Sequence, residues 1–158
     1  MNEQNIRIQT AVLADIPELL SLETASFVTS DGLLTERAFR YHIKRGNLCL
    51  IARADNANQL AAYVLVLPHR KSARIYSLAV AKKFQQRGIA RALLYQVMDE
   101  ICKRKIPILK LEVRRENTGA IALYQSLGFH IQSIVEDYYG PDEDAIGMQW
   151  QSPQNPKT

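Results

Sequence analysis

Between Ala73 and Val113 the hydrophobic pattern changes period twice, and nothing else in the chain constrains the fold as tightly. "ARIYSLAV" (73–80) reads as a strand. From Gly88 onward Ile89, Leu93, Val97 and Ile101, with Leu94 and Met98 beside them, keep helical spacing. After Pro107, "ILKLEV" returns to the alternation of a strand. Strand, helix and strand in that order predict one parallel crossover.

The flanking segments predict antiparallel neighbours. "IRIQTA" alternates. Asp15, followed by Pro17, reads as the cap of a first helix, and Thr35 as the cap of a second that closes at Gly46. "LCLIARA" and "LAAYVLVLP" form a hairpin across "DNANQ". "TGAIALYQSLGF" is a short helix stopped at Gly128, and "HIQSIVE" and "AIGMQW" are closing strands. The expected fold is α/β of the α+β type, with a mixed, mostly antiparallel central sheet and helices on both faces. It occupies one domain over residues 1–151, with a disordered tail at 152–158.

Composition narrows the function classes. A chain of 158 residues, 47% hydrophobic, can bury one proper core. Its net charge of +4 suits an anionic small molecule as well as nucleic acid. The basic stripes with interleaved aromatics that favour nucleic acid are missing, so no nucleic-acid partner is expected. Cys49 and Cys102 make no CxxC pair and read as buried small hydrophobes of a reducing cytosol. His42, His69 and His130 lack ligand spacing, so no metal is expected. The N-terminus has no signal-peptide layout and no apolar run approaches membrane-spanning length, which predicts a cytoplasmic protein without a membrane partner.

The loop between the strand and the helix, "VAKKFQQRGIARALL", carries the chemistry. A helix N-terminus presents unpaired N–H groups and a partial positive charge. A glycine there lets an anion approach the backbone closely, and Lys82, Lys83, Arg87 and Arg91 add charge around it. The common nucleotide signatures GxxxxGK[ST] and GxGxxG are both absent.

"LAVAKKFQQRGIARALL" resembles the pyrophosphate-binding segment of the GNAT (Gcn5-related) N-acetyltransferases, whose core reads [QR]-x-x-G-x-[GA]. Here the core is Gln85, Gln86, Arg87, Gly88, Ile89 and Ala90. Lys82 stands where a proline is often found, and Ala90 replaces the last glycine. "LKLEVRRENTGAIALYQSLGF" (109–129) and "DYYGPDEDAIGM" resemble the RimI-like subgroup, the ribosomal-protein N-terminal alanine acetyltransferases. Residues 23–47 look more like the acetyltransferase module that precedes a C39-type peptidase in some bacterial proteins.

The resemblance covers the chain up to Gln151 and implies an acetyl-CoA-dependent N-acetyltransferase working by direct attack in a ternary complex. It implies that the backbone of Leu78, Ala79 and Val80 holds the pantetheine arm and the thioester oxygen. Gln85, Gln86, Arg87, Gly88, Ile89, Ala90 and Arg91 would cradle the pyrophosphate. Asn117 would contact acetyl-CoA, act as an ordinary helix cap, or do both. Tyr124 would be the general acid for the leaving thiolate, the alternative being a ring packed under its helix. Glu112 would be the general base, the alternative being a structural or substrate-binding carboxylate partnered by Lys110 or Arg114. Tyr138 and Tyr139 would lie over the acceptor groove. Asp142, Glu143 and Asp144 either attract a cationic acceptor or form a solvated turn.

The RimI-like resemblance implies the α-amine of a protein or peptide as the acceptor. Magnitudes set what the base must then do: at pH 7 an α-amine of pKa ~8 is neutral roughly a tenth of the time, and a lysine about once in two thousand. A small amine or a lysine side chain is the runner-up, and a non-catalytic acyl-CoA-binding module is the reading from another class.

Overall fold

The structure, a computed structural model, describes residues 5–27, 32–54 and 58–153. Seven strands run in the order β1 (Ile6–Thr10), β2 (Leu48–Ala54), β3 (Gln59–Pro68), β4 (Ala73–Val80), β5 (Ile108–Arg114), β7 (Glu143–Gln151), β6 (His130–Gly140). Their pairings β1/β2, β2/β3, β5/β7 and β6/β7 are antiparallel, whereas β4/β5 is parallel, with Ala73 opposite Leu109 and Arg74 opposite Lys110. The helices are α1 (Ile16–Ser26), α2 (Glu36–Arg45), α3 (Ile89–Lys103) and α4 (Thr118–Ser126). This is the expected mixed, mostly antiparallel sheet, and α3 supplies the crossover between β4 and β5. The tip of the "DNANQ" turn (55–57), part of the loop after α1 (28–31) and the end of the tail (154–158) lie outside the described residues.

The chain divides into two compact units, Met1–Leu67 with Tyr76–Gln96 and Pro68–Ile75 with Val97–Thr158. In the first, every residue of β2 and all of β3 from Leu60 to Val66 are buried, so both faces of these strands are covered. On one face Cys49, Ile51, Tyr63, Leu65 and Ala79 form a core with Ile16, Leu19 and Leu22 of α1 and Phe39 of α2. Burial pushes the Cys49 thiol up to about 12, with Asp15 adding to the shift, so this sulfur is an inert packing group.

Caps set the helix ends. Thr35 Oγ1 accepts from Ala38 N–H (3.1 Å), and Gly46 closes α2 with φ +79. Asp15 departs from the expectation, because its side chain makes no cap bond to α1. It lies in a short 3-10 turn (Leu13–Asp15), where Oδ2 accepts from Val12 N–H (2.8 Å) and Oδ1 pairs with Arg53 at 2.7 Å. Arg53 is only 7% exposed, so a buried guanidinium needed that carboxylate more than the helix end did. Glu18 pairs with it as well, and this bond holds the Glu18 carboxyl below the ordinary carboxylate range.

A second buried carboxylate, Glu23, joins three elements of the first unit. Its Oε2 accepts from Leu34 N–H at 2.6 Å, and its Oε1 accepts from the Tyr63 hydroxyl. Tyr63 has a single proton to give, so the 2.7 Å contact with Ser77 Oγ on β4 has serine as donor.

In the second unit β5 lies along β7, with Leu109, Leu111 and Val113 buried and Lys110, Glu112 and Arg114 on the opposite face. Val97, Met98 and Ile101 of α3 are buried, but Cys102 is exposed, contrary to the expectation of two buried cysteines. One residue beyond Ile101 turns a side chain ~100° off the buried stripe. β6 ends the sheet order, and His130 to Tyr138 are exposed throughout, Ile131 and Ile134 included. Ser152 is buried, and its N–H donates to Pro107 C=O (2.9 Å).

Candidate active site

The residues expected at the site divide between the two units. Leu78 to Val80 and Gln85 to Arg91 belong to the first, and Glu112, Asn117, Tyr124, Tyr138 and Tyr139 to the second.

In the first unit β4 ends at Val80, and Ala81 N–H donates to Ala61 C=O (2.8 Å). A 3-10 turn (Lys82–Phe84) follows, then an extended Gln85 whose Nε2 returns to Val80 C=O (3.1 Å). Gln86 (φ +62) and Gly88 (φ +78) both take the left-handed conformation. That backbone curls the loop into α3, where the first helical bond runs from Ala92 N–H to Gly88 C=O (3.0 Å). The amides of Ile89 and Ala90 therefore have no acceptor behind them in the helix. A Cβ built on Gly88 would meet nothing within 4 Å, so glycine serves the φ angle there and not the space.

One residue of this loop escaped the sequence reading. Phe84 is buried, and two cations stand over its ring: Lys83 Nζ at 5.3 Å and Arg87 Cζ at 5.7 Å from the centroid. The signal lay in the sequence, as a single aromatic set between "KK" and "QQR". Amides without helical acceptors at a helix start, a left-handed glycine and cations gathered on one ring make a donor set suited to a polyanion such as pyrophosphate.

In the second unit Asn117 caps α4, its Oδ1 accepting from Ala120 N–H at 3.1 Å. The helix carries Tyr124, whose ring is buried 5.6 Å from that of Phe129. Burial, with a smaller contribution from Tyr139, pushes the Tyr124 phenol up to about 12. The hydroxyl bonds to nothing among the described residues, yet no buried side-chain N or O atom there is without a partner. The oxygen must therefore reach solvent although the ring does not.

Glu112 is half-buried, and the hydrogen bond of its carboxylate goes to neither Lys110 nor Arg114, the partners named in the alternative reading. Its partner is Arg74 of β4, whose Nε donates to Oε2 at 2.9 Å. The sequence reading missed Arg74, since a parallel neighbour 38 residues away leaves no local mark. Arg114 instead lies over the Tyr139 ring (4.3 Å) and 3.6 Å from Glu143. Tyr138 and Tyr139 meet edge to face with centroids 4.9 Å apart, and Arg74 Nη2 donates to the Tyr138 hydroxyl at 2.6 Å. The acidic run is largely occupied: Glu143 by Arg114, and Asp144 by Arg115 (3.3 Å) and the Asp137 N–H (3.0 Å).

Known proteins share this arrangement of chain. Residues 16–129 match the Acetyltransferase (GNAT) family. The chain is similar to the [ribosomal protein bS18]-alanine N-acetyltransferase of Escherichia coli (strain K12), 41% identical over 93 residues. That match spans 57% of this chain and 63% of the relative, less than two thirds of its length. The enzyme of the same description from Haemophilus ducreyi is 31% identical over 148 residues, 89% of this chain and 97% of that one. The crystal structure of the ribosomal-protein-S18-alanine N-acetyltransferase from Escherichia coli superposes with a TM-score of 0.87. It is 29% identical, with 98% of each chain covered.

Proposed function

The chain belongs to the GNAT family of acetyltransferases, and from that premise we propose that it moves an acetyl group from acetyl-CoA to the α-amine at the N-terminus of a protein or peptide. The acetyltransferase domain on this reading spans residues 1–151. The observation that carries it is Tyr124, a phenol with a buried ring, a solvent-reaching oxygen and no partner for its proton among the described residues. Packing fixes the ring, and the proton stays available to a bound ligand.

Bound acetyl-CoA supplies a reactive thioester. The rest is done by this chain. Amides at the start of α3 and the cations at Lys82, Lys83 and Arg87 hold the pyrophosphate, while the backbone of Leu78 to Val80 binds the arm and donates to the thioester oxygen. Glu112 offers Oε1, which has no partner among the described residues, to the amine directly or through water. Tyr138 and Tyr139 receive the acceptor backbone.

Tyr124 donates to the departing sulfur. Moving a proton fully from a phenol near 12 to a thiolate of pKa ~8.5 climbs ~5 kcal/mol. Its contribution is therefore a hydrogen bond that strengthens as negative charge builds on sulfur, with the proton following late. An α-amine suits such a site, because it is neutral often enough to attack without a strong base. The similarity to bS18-alanine N-acetyltransferases supports the same acceptor class.

The test is CoA release from acetyl-CoA with three kinds of acceptor: peptides with free N-termini, the same peptides blocked but carrying one lysine, and small polyamines. Mass spectrometry locates the acetyl group. Turnover confined to free N-termini is expected. Turnover on the blocked peptides or polyamines alone would replace the α-amine reading.

A further inference from the structure

We propose that Arg74 is a positioning residue for the reaction, joining the base to the acceptor-binding hairpin through one guanidinium. The inference rests on the reading of Glu112 as the base. Its geometry lies wholly within the second unit. Arg74 sits on β4 opposite Lys110 of β5, so Glu112 is two residues further along the neighbouring strand. Two residues of strand are ~6.6 Å, a distance that an arginine side chain spans. Nε then donates to Glu112 Oε2 (2.9 Å) and Nη2 to the Tyr138 hydroxyl (2.6 Å).

Three features give this bridge a purpose beyond holding the fold. First, the pair is partly open to solvent, with side-chain exposures of 34% for Arg74 and 24% for Glu112, and pairs this exposed contribute little to stability. Second, Arg74 occupies Oε2 and leaves Oε1 without a partner among the described residues, so the carboxylate is held from one side and keeps one oxygen available. Third, the same guanidinium ties Tyr138, 42% exposed on β6 and resting edge to face on Tyr139, to the base. Base and acceptor contact are thereby held at one spacing.

The planar fork of arginine makes both bonds at once. A lysine at this position keeps the charge but, as a single point donor, cannot hold both partners in these directions. Lys110 and Arg114, the cations nearest Glu112 along β5, leave its carboxylate to Arg74.

The experiment measures steady-state kinetics with acetyl-CoA and a free-N-terminus peptide for Arg74→Gln, Arg74→Lys, Glu112→Gln and both double variants with Glu112→Gln. Thermal melts and acetyl-CoA affinity by calorimetry accompany each. Misplacing a reacting group by about 1 Å can cost up to ~100-fold, so Arg74→Gln and Arg74→Lys are each expected to lower kcat/KM for the peptide ~10-fold to 100-fold. Acetyl-CoA affinity and melting temperature should stay at wild-type values. In the Glu112→Gln background either Arg74 change should have little further effect on kcat.

Wild-type kinetics for Arg74→Lys would overturn the bridge, since charge alone would then suffice. Additive losses in the double variants, or equal losses in acetyl-CoA affinity and peptide kinetics, would overturn it too. If Glu112→Gln itself retains full kcat, the base assignment fails and the inference fails with it. If Glu112→Gln collapses while Arg74→Gln does not, only the inference fails. Should Arg74→Gln melt early, Arg74→Met supplies the same comparison without a stranded amide.

Discussion

Two tyrosines in this chain should give opposite signatures when their hydroxyls are removed. Tyr63 is fully buried, and its hydroxyl bonds both Glu23 and Ser77. Phenylalanine keeps the ring and its edge contact with Phe39 (centroids 5.6 Å apart). What it loses is a hydrogen bond to a buried carboxylate, ~1.5–3 kcal/mol, and a neutral one of ~1 kcal/mol. The expected loss is therefore ~2–4 kcal/mol, or ~5–15 °C in Tm for a chain of this size. The Tyr124 hydroxyl has no partner inside the described chain, so Tyr124→Phe should melt within ~2 °C of wild type, while losing a proton donor should lower kcat ~100-fold to 10,000-fold. Calorimetry and the CoA-release assay on both variants decide the matter. A Tyr124→Phe enzyme that melts as early as Tyr63→Phe, or turns over normally, refutes the assignment of the acid.

Arg53→Met should destabilise by ~3–5 kcal/mol in urea titration, because it strands the buried Asp15 carboxylate; adding Asp15→Asn should recover part of the loss. Gly88→Ala meets no steric obstacle, but an alanine held at φ +78 is strained by ~1–2 kcal/mol. Its Tm should fall a few degrees, and acetyl-CoA should bind about 10-fold more weakly or worse, ~1.4 kcal/mol or more by calorimetry. Burial holds the His42 imidazole below its ordinary pKa, with Nδ1 2.9 Å from Asn47 Nδ2. Between that lowered value and the unfolded value of ~6.5 the unfolded chain binds the extra proton, so stability rises with pH across the window and falls on acidification. Unfolding free energies at several pH values should show a shallower slope for His42→Gln.

The parts of the fold that were legible in the sequence are those whose cause is local. The stripe from Ile89 to Ile101, the alternation of β5, the Thr35 cap and the Gly46 stop each follow from a few neighbouring residues, and each appears as expected. The element order and the parallel crossover followed from them. What stayed hidden depends on contacts between distant segments. Asp15 looks like a cap until Arg53, 38 residues later, is seen to claim it. Arg74 and Glu112 meet only because β4 and β5 run parallel in one register. Cys102 adjoins the apolar stripe in sequence, but the helical turn points it outward. The candidate residues were found by resemblance, while their bonding partners came only from the fold.

Phe84 bears on how the proposed ligand would arrive and leave. Lys83 and Arg87 are already settled on its ring, so their side-chain freedom is reduced before any polyanion approaches. Long-range attraction depends on how many charges the loop carries, whereas retention depends on how little those charges must rearrange. Replacing Phe84 with leucine leaves the charge count untouched and removes the ring on which both side chains rest. Association should then proceed at nearly its former rate and dissociation should quicken, so a buried ring that touches no ligand would act as a clock on residence time.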